Sequence, residues 1–532
     1  MDPKLMSEEK NGMKSQKEGD ALPRAKTRAE YSAVNATVGM ASQIISIVMG
    51  YVSRIVFTRT LSESYVGISS LFGDILGILS LSEMGIEMIM NYALYRPVAQ
   101  GDIPKQQVLM RVRKRLYQGV AGCILVFGLA LLPFLRNFTG ELPDVEHLYL
   151  IYLLYLGNSA LSYLLTYKHS LIAAHQKEYI PILYRTVFQV ISISLQIVVL
   201  LATGNFLAYL LLGMASGILC SACITRQANK MYPYLKEKCT QTLPKEEKAR
   251  ISRDMRAMLL HKLGEVTTKN TDSLLISSFV GIASVGAYSN NNLIIGSVRQ
   301  VIAKAFNGIT ASVGNLAAAE DSEALHSVFR TAFFISQWLY GFSAICLFEL
   351  LPSFVELSFG PQYVLDTPVL LILCLNFYLI GIRGPGLTVW NSMGMFWFDR
   401  YKALGEALVN LIASLILVQY WGMPGVFAGT LVSSILVPLW IEPCLLFRRC
   451  LLKPVGPFFR SCAGYFAILG GIWWIVDALC AQITGGLLFT FLLRTAVCGV
   501  VGNGLLLAAH FWRKEFKTAK WVLTLFIKRG EK

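Results

Sequence analysis

One stretch of the chain puts four ionisable side chains on a single helical face. Lys262, Glu265, Lys269 and Asp272 follow one another at spacings of three, four and three residues. The second half of the stretch lies in an apolar run long enough to cross a bilayer. An ionisable group at a bilayer centre costs on the order of 2.5–3.5 kcal/mol by insertion scales, so such a face must look into protein or water. There Lys269 can meet an anion and Asp272 a cation. The alternative is an i to i+3 pair of Lys269 with Asp272 that only stabilises packing.

Further cations recur in other apolar runs. Arg299 falls near the middle of the run 284–312, and Lys304 lies deeper toward its far end, where reaching the headgroups is an equal alternative. Arg383 sits mid-run in Gly381-Ile382-Arg383-Gly384-Pro385-Gly386. Two glycines and a proline around an arginine predict a broken helix, and broken helices mark substrate sites in transporters. The alternative is a kink whose freed carbonyls satisfy the arginine. Arg54 and Arg59 close the first run, where snorkelling to the surface competes with a site role. Arg54, Arg59, Lys269, Arg299, Lys304 and Arg383 form the candidate substrate-binding set. A guanidinium fork suits phosphate through paired, charge-assisted hydrogen bonds. A pyrophosphate head is therefore a natural ligand, and a chamber of this sign repels cationic drugs.

A second group offers oxygen ligands. Asp272, Glu406, Asn410 and Thr430 suit a hard cation such as Na⁺, with Glu406 and Asn410 at i,i+4 on one face. Ordinary interhelical hydrogen bonding is the competing account. Asp74 is deep in the second run and joins this candidate ion-coupling and gating set. Glu83 and Glu87 share a face nearly opposite to it. No catalytic residues are assigned. The chain has no GxxxxGK[ST], HExxH or GxSxG, and Cys220 and Cys223 form a CxxC inside an apolar run, where they read as packing residues.

The elements that must position these groups are membrane spans. Of 532 residues 54% are hydrophobic and 15% charged, against about 25% charged in soluble domains. The pattern predicts an all-α integral membrane protein of fourteen transmembrane helices, with a polar tail at 1–33 and an N-lobe of six spans at 34–225. A basic linker at 226–258 and a C-lobe of six spans at 259–447 follow. Two extra spans at 448–511 and a basic amphipathic tail at 512–532 complete the chain. Outside the spans nearly all Lys and Arg fall on the side of the N-terminus, and only Arg59 and Arg136 on the other. That places both termini in the cytoplasm. The net charge of +15 thus points to membrane lipid rather than nucleic acid. The halves also share an internal pattern. Val66, Gly67, Ser70 and Gly77 match Val285, Gly286, Ser289 and Gly296 at one fixed offset, and Leu131-Leu132-Pro133 matches Leu350-Leu351-Pro352 at the same offset. Two parallel six-helix lobes facing one another suit alternating access by rocking.

The segments Tyr65-Val66-Gly67, Leu79-Ser80-Leu81-Ser82-Glu83-Met84-Gly85 and Tyr92-Ala93-Leu94-Tyr95-Arg96-Pro97 resemble the start of Wzx-type polysaccharide flippases. These are members of the multidrug/oligosaccharidyl-lipid/polysaccharide (MOP) exporter superfamily. Thr271-Asp272, Gly286-Ala287-Tyr288-Ser289-Asn290 and Glu406…Asn410…Gly429-Thr430 extend the likeness into the second half. The resemblance implies two pseudo-symmetric lobes plus two helices, in a multi-pass protein of the bacterial cytoplasmic membrane. It implies export of undecaprenyl-pyrophosphate-linked oligosaccharides by a secondary transporter, powered by an ion gradient or membrane potential. No organic cofactor is expected, with Na⁺ or H⁺ as the coupling ion. Membrane lipids and the polysaccharide polymerase and export machinery are the expected partners. By similarity the cavity role falls to Arg54, Arg299 and Arg383. The ion role falls to Asp272, Glu406, Asn410 and Thr430. The rivals are a lipid II-type or multidrug exporter of the same superfamily, and a membrane sugar-transfer enzyme. Short outer loops weigh against the enzyme.

Overall fold

A computed structural model describes residues 28–516, apart from 141–144, 238–240, 319–321 and 393–400, together with Thr518. Within the helices, side chains are described except at 28–33, 36, 81–85, 87–88, 236, 250, 254, 256–270, 304–322, 324 and 391–392. Among the described residues the secondary structure is entirely helical. The first half holds α1 (Arg28–Thr60), α2 (Glu63–Leu79), α3 (Leu81–Gln100), α4 (Ile103–Leu131), α5 (Leu148–Thr166), α6 (His169–Ala174), α7 (Tyr179–Thr203) and α8 (Phe206–Met231). The second half holds α9 (Lys245–Phe279), α10 (Ile282–Ala318), α11 (Ser322–Phe359), α12 (Thr367–Ser392), α13 (Lys402–Trp421), α14 (Met423–Leu436) and α15 (Pro438–Leu446). The appended helices are α16 (Gly456–Cys480), α17 (Leu487–Val497) and α18 (Asn503–His510).

Eleven helical segments among the described residues are long and apolar enough to cross a membrane. The protein is therefore a multi-pass membrane protein. The three other expected spans are helical but differ in form. The run 65–92 divides at Ser80 into α2 and α3. The run 259–281 lies in α9 as far as its end at Phe279, and the run 284–312 lies within α10; these helices are 35 and 37 residues long. α9 starts at Lys245, well inside the segment expected as a basic linker. Strong helix formers and Glu246 and Glu247 in its first turn, where the helix dipole favours carboxylates, account for that early start.

The proline of the Gly-Pro-Gly motif does not break its helix. α12 runs through Pro385 to Ser392. A proline in a helix deprives the carbonyl four residues earlier of its donor. That carbonyl is Gly381's, and the Ser336 hydroxyl of α11 donates to it at 2.7 Å. A Cβ at Gly381 would lie 2.3 Å from the Tyr340 ring, so only glycine allows α11 this close.

α2 packs against α10, α9 lies along α2, α3 and α13, and α16 and α17 pack on α11. The α2–α10 crossing is tight because each helix offers a glycine. A Cβ on Gly67 would stand 2.1 Å from the Ile282 carbonyl oxygen, and one on Gly286 3.2 Å from the Glu63 carbonyl oxygen. Val66, Ile68, Leu71 and Phe72 bury α2 in one continuous apolar core. On the outer faces large apolar side chains such as Trp474 and Val500 stand exposed, as lipid contact requires.

Candidate functional site

Arg54 lies where α1 meets the α2–α10 crossing. Its Nε donates to Asn290 Oδ1 at 2.5 Å and its Nη2 to Ser289 Oγ at 2.9 Å, with Ser70 Oγ at 3.4 Å. Tyr155, Tyr209 and Tyr363 are its further electrostatic neighbours. Among the described residues no carboxylate pairs with it. The guanidinium is thus held by neutral acceptors at the seam between the two halves. Arg59 is exposed and serves the same seam differently. It donates to the carbonyls of Leu357 (2.8 Å) and Ser358 (3.2 Å) at the end of α11, where the helix dipole favours a cation. The Tyr51 hydroxyl bonds Ser358 Oγ beside it.

Two carboxyl groups lie near one another on α2 and α9. Asp272 of α9 is buried, and Asp74 of α2 is its electrostatic neighbour and hydrogen-bonds Ser273. Asp272 Oδ1 has no hydrogen-bond partner among the described residues. Tyr288 stands beside both carboxyls and near Arg299, its ring packed on Phe427 at 4.8 Å. Neighbouring carboxyl groups repel, and a shared proton or a bound cation would relieve that repulsion.

Arg383 is placed otherwise than the sequence led us to expect. Its guanidinium grips two glutamates: Nη1 to Glu406 Oε1 at 2.9 Å, Nη2 to Glu442 Oε1 at 2.8 Å and Nε to Glu442 Oε2 at 3.0 Å. Lys402 Nζ joins Glu442 Oε1 at 2.7 Å. Among the described residues two cations and two carboxylates meet in this network, and it draws Glu406 from the oxygen set into an arginine pair. Glu442 and Lys402 were missed from sequence. A lone glutamate in the apolar run 424–447 was the available signal.

Of the remaining oxygen set, Asn410 Nδ2 donates to Thr430 Oγ1 at 2.8 Å. Asn410 Oδ1 has no partner among the described residues, and neither does Asn376 Oδ1, whose amide donates to the Phe427 carbonyl at 3.1 Å. α9 packs on α13, bringing the helices of Asp272 and Asn410 side by side. Arg299 is half-buried near Tyr288 and Tyr340. The side chains of Lys269, Lys304, Glu83 and Glu87 lie outside the described residues.

A family model described as polysaccharide biosynthesis protein matches residues 32–311. No curated protein matches the chain. Among solved structures, the lipid II flippase MurJ in an inward closed conformation aligns with a TM-score of 0.62 at 13% identity, over 90% of this chain and 98% of that one. An inward-facing multidrug-resistance MATE family transporter of the MOP superfamily aligns at 0.58 and 14% identity, over 77% and 98%. A MOP superfamily transporter from Pyrococcus furiosus aligns at 0.52 and 13%, over 81% and 98%. At such identities the likeness is one of fold. The family match covers more than half of the chain, which therefore belongs to the polysaccharide biosynthesis protein family and is built on the fold of the MOP-superfamily flippases and transporters.

Proposed function

We propose that this protein moves an undecaprenyl-pyrophosphate-linked oligosaccharide from the cytoplasmic to the outer leaflet by alternating access. In this reading fourteen spans place both termini in the cytoplasm. The observation that carries it is Arg54, an arginine at the seam between the lobes with only neutral partners among the described residues. A pyrophosphate can replace serine and asparagine oxygens on a guanidinium, whereas it must compete with two glutamates at Arg383. Arg54 and Arg299, with Lys269 and Lys304, then attract the head group, and the Arg383 network holds the C-lobe together. Asp272 with Asp74, next to Asn410 and Thr430, takes the coupling Na⁺ or H⁺.

In this reading the α2–α10 crossing and the Arg59 contacts lie toward the outer end of the path. The test is flipping of a defined pyrophosphate-linked glycan in vesicles. Arg54→Ala and Arg299→Ala should abolish it with protein still in the membrane, and normal flipping by both variants would remove the assignment. The fold shared with MurJ favours one second reading, lipid II as the cargo. Transport of lipid II but not of other pyrophosphate-linked glycans in the same vesicles would select it.

A further inference from the structure

A cavity of about 300 Å³ opens between the start of α11, the residues leading into α16 and the segment after α18. No residue of α1, α2, α9 or α10 lines it among the described residues. Its floor is aromatic. Phe329, Phe333, Phe447 and Phe458 pack ring to ring at 5.0–6.1 Å. Its rim is cationic. Among the described residues Arg330, Lys453 and Arg513 line it with one carboxylate, Glu515. Arg513 lies 4.5 Å over the Tyr465 ring, which fixes the guanidinium at the cavity wall. α16 begins here, and Val455 gives its first turn no side-chain cap.

The cations are paired in ways that are easily exchanged. Arg330 contacts Glu515 and Lys453 contacts Glu323. Glu323 is 74% exposed, so its pair with Lys453 is a surface pair of small worth, and Arg330 reaches Glu515 from a side chain 58% exposed. An aromatic floor beneath a cationic rim fits a molecule with a phosphate at one end and hydrocarbon at the other. On the proposed orientation this end of the bundle meets the cytoplasmic leaflet. We propose that the cavity binds the phosphate-bearing headgroup of an anionic phospholipid of that leaflet, tying the appended helices to α11 as a site separate from the transport path. A free phosphate shares the charge but has no use for the aromatic floor.

The experiment measures the melting temperature of the full-length protein in neutral detergent with added phosphatidylglycerol, phosphatidylcholine or sodium phosphate. Phosphatidylglycerol should raise it by a few degrees, and the other two should not. Lys453→Ala/Arg513→Ala should lose at least half of that rise. Lys230→Ala/Lys248→Ala, which removes equal charge from exposed positions elsewhere, should keep it. Lys453→Ala alone, at a side chain 36% exposed, gives a partial loss and serves if the double variant does not fold. An undiminished rise in the pocket variants, an equal loss in the control, or a full rise with sodium phosphate alone would overturn the proposal. Binding is read without transport, so failure of the flippase reading leaves this result standing.

Discussion

Ser70 and Ser289 are 219 residues apart in the chain, and their hydroxyl oxygens are 2.6 Å apart in space. The same offset relates Val66-Gly67 to Val285-Gly286. Equivalent positions of two copies related by a two-fold axis meet only at that axis. If the lobes are related in that way, as the proposed function requires, the α2–α10 crossing lies on the axis and rocking would open or close this contact. Arg54 binds both serines, so a phosphate drawing Arg54 away would also loosen the crossing.

This contact can be locked. With hydroxyls this close, Ser70→Cys/Ser289→Cys should form a disulfide under mild oxidant. Flipping should stop in the oxidised protein and return with reductant, with oxidant-treated wild type as the reference. Transport by the cross-linked protein would show that the crossing stays shut throughout the cycle.

The Arg383 network should matter to stability. Glu442→Ala removes from Arg383 one of the two carboxylates that hold it in a buried site. Removing one partner of a buried ion pair costs about 3 kcal/mol. The variant should melt well below wild type, and Arg299→Ala should not. Equal melting of Glu442→Ala and wild type would show that the network is solvated.

Asp272→Asn keeps the shape of the side chain and removes its charge. In proteoliposomes the variant should lose the response of flipping to a sodium or proton gradient. Whichever gradient drives wild type names the ion. A variant that responds to both gradients as wild type does would rule Asp272 out of coupling.

The glycines around Arg383 should separate by environment. Gly381→Ala meets the Tyr340 ring and should lower the melting temperature. Gly384→Ala meets nothing within 4 Å, and replacing a helix-interior glycine should stabilise by about 0.5–1 kcal/mol. Comparable melting temperatures for the two variants would contradict the close approach of α11 to α12.

Hydropathy alone was sufficient for the helical membrane architecture, because lipid demands apolar runs of bilayer length and leaves the backbone no other way to satisfy its hydrogen bonds. Charge spacing was likewise enough to single out Arg54, Asp272 and Arg383 as groups needing partners, since burial of a charge is costly wherever it occurs. Which partner each would meet was not legible. Arg383 lies 23 residues from Glu406 and 59 from Glu442, and only the packing of α12, α13 and α15 decides that two carboxylates converge on it. The same holds for Asp74 beside Asp272 and for a serine donating to Gly381. A sequence records each residue's own cost in the membrane, but the relief of that cost is set by neighbours from distant helices, and those are chosen by the tertiary fold.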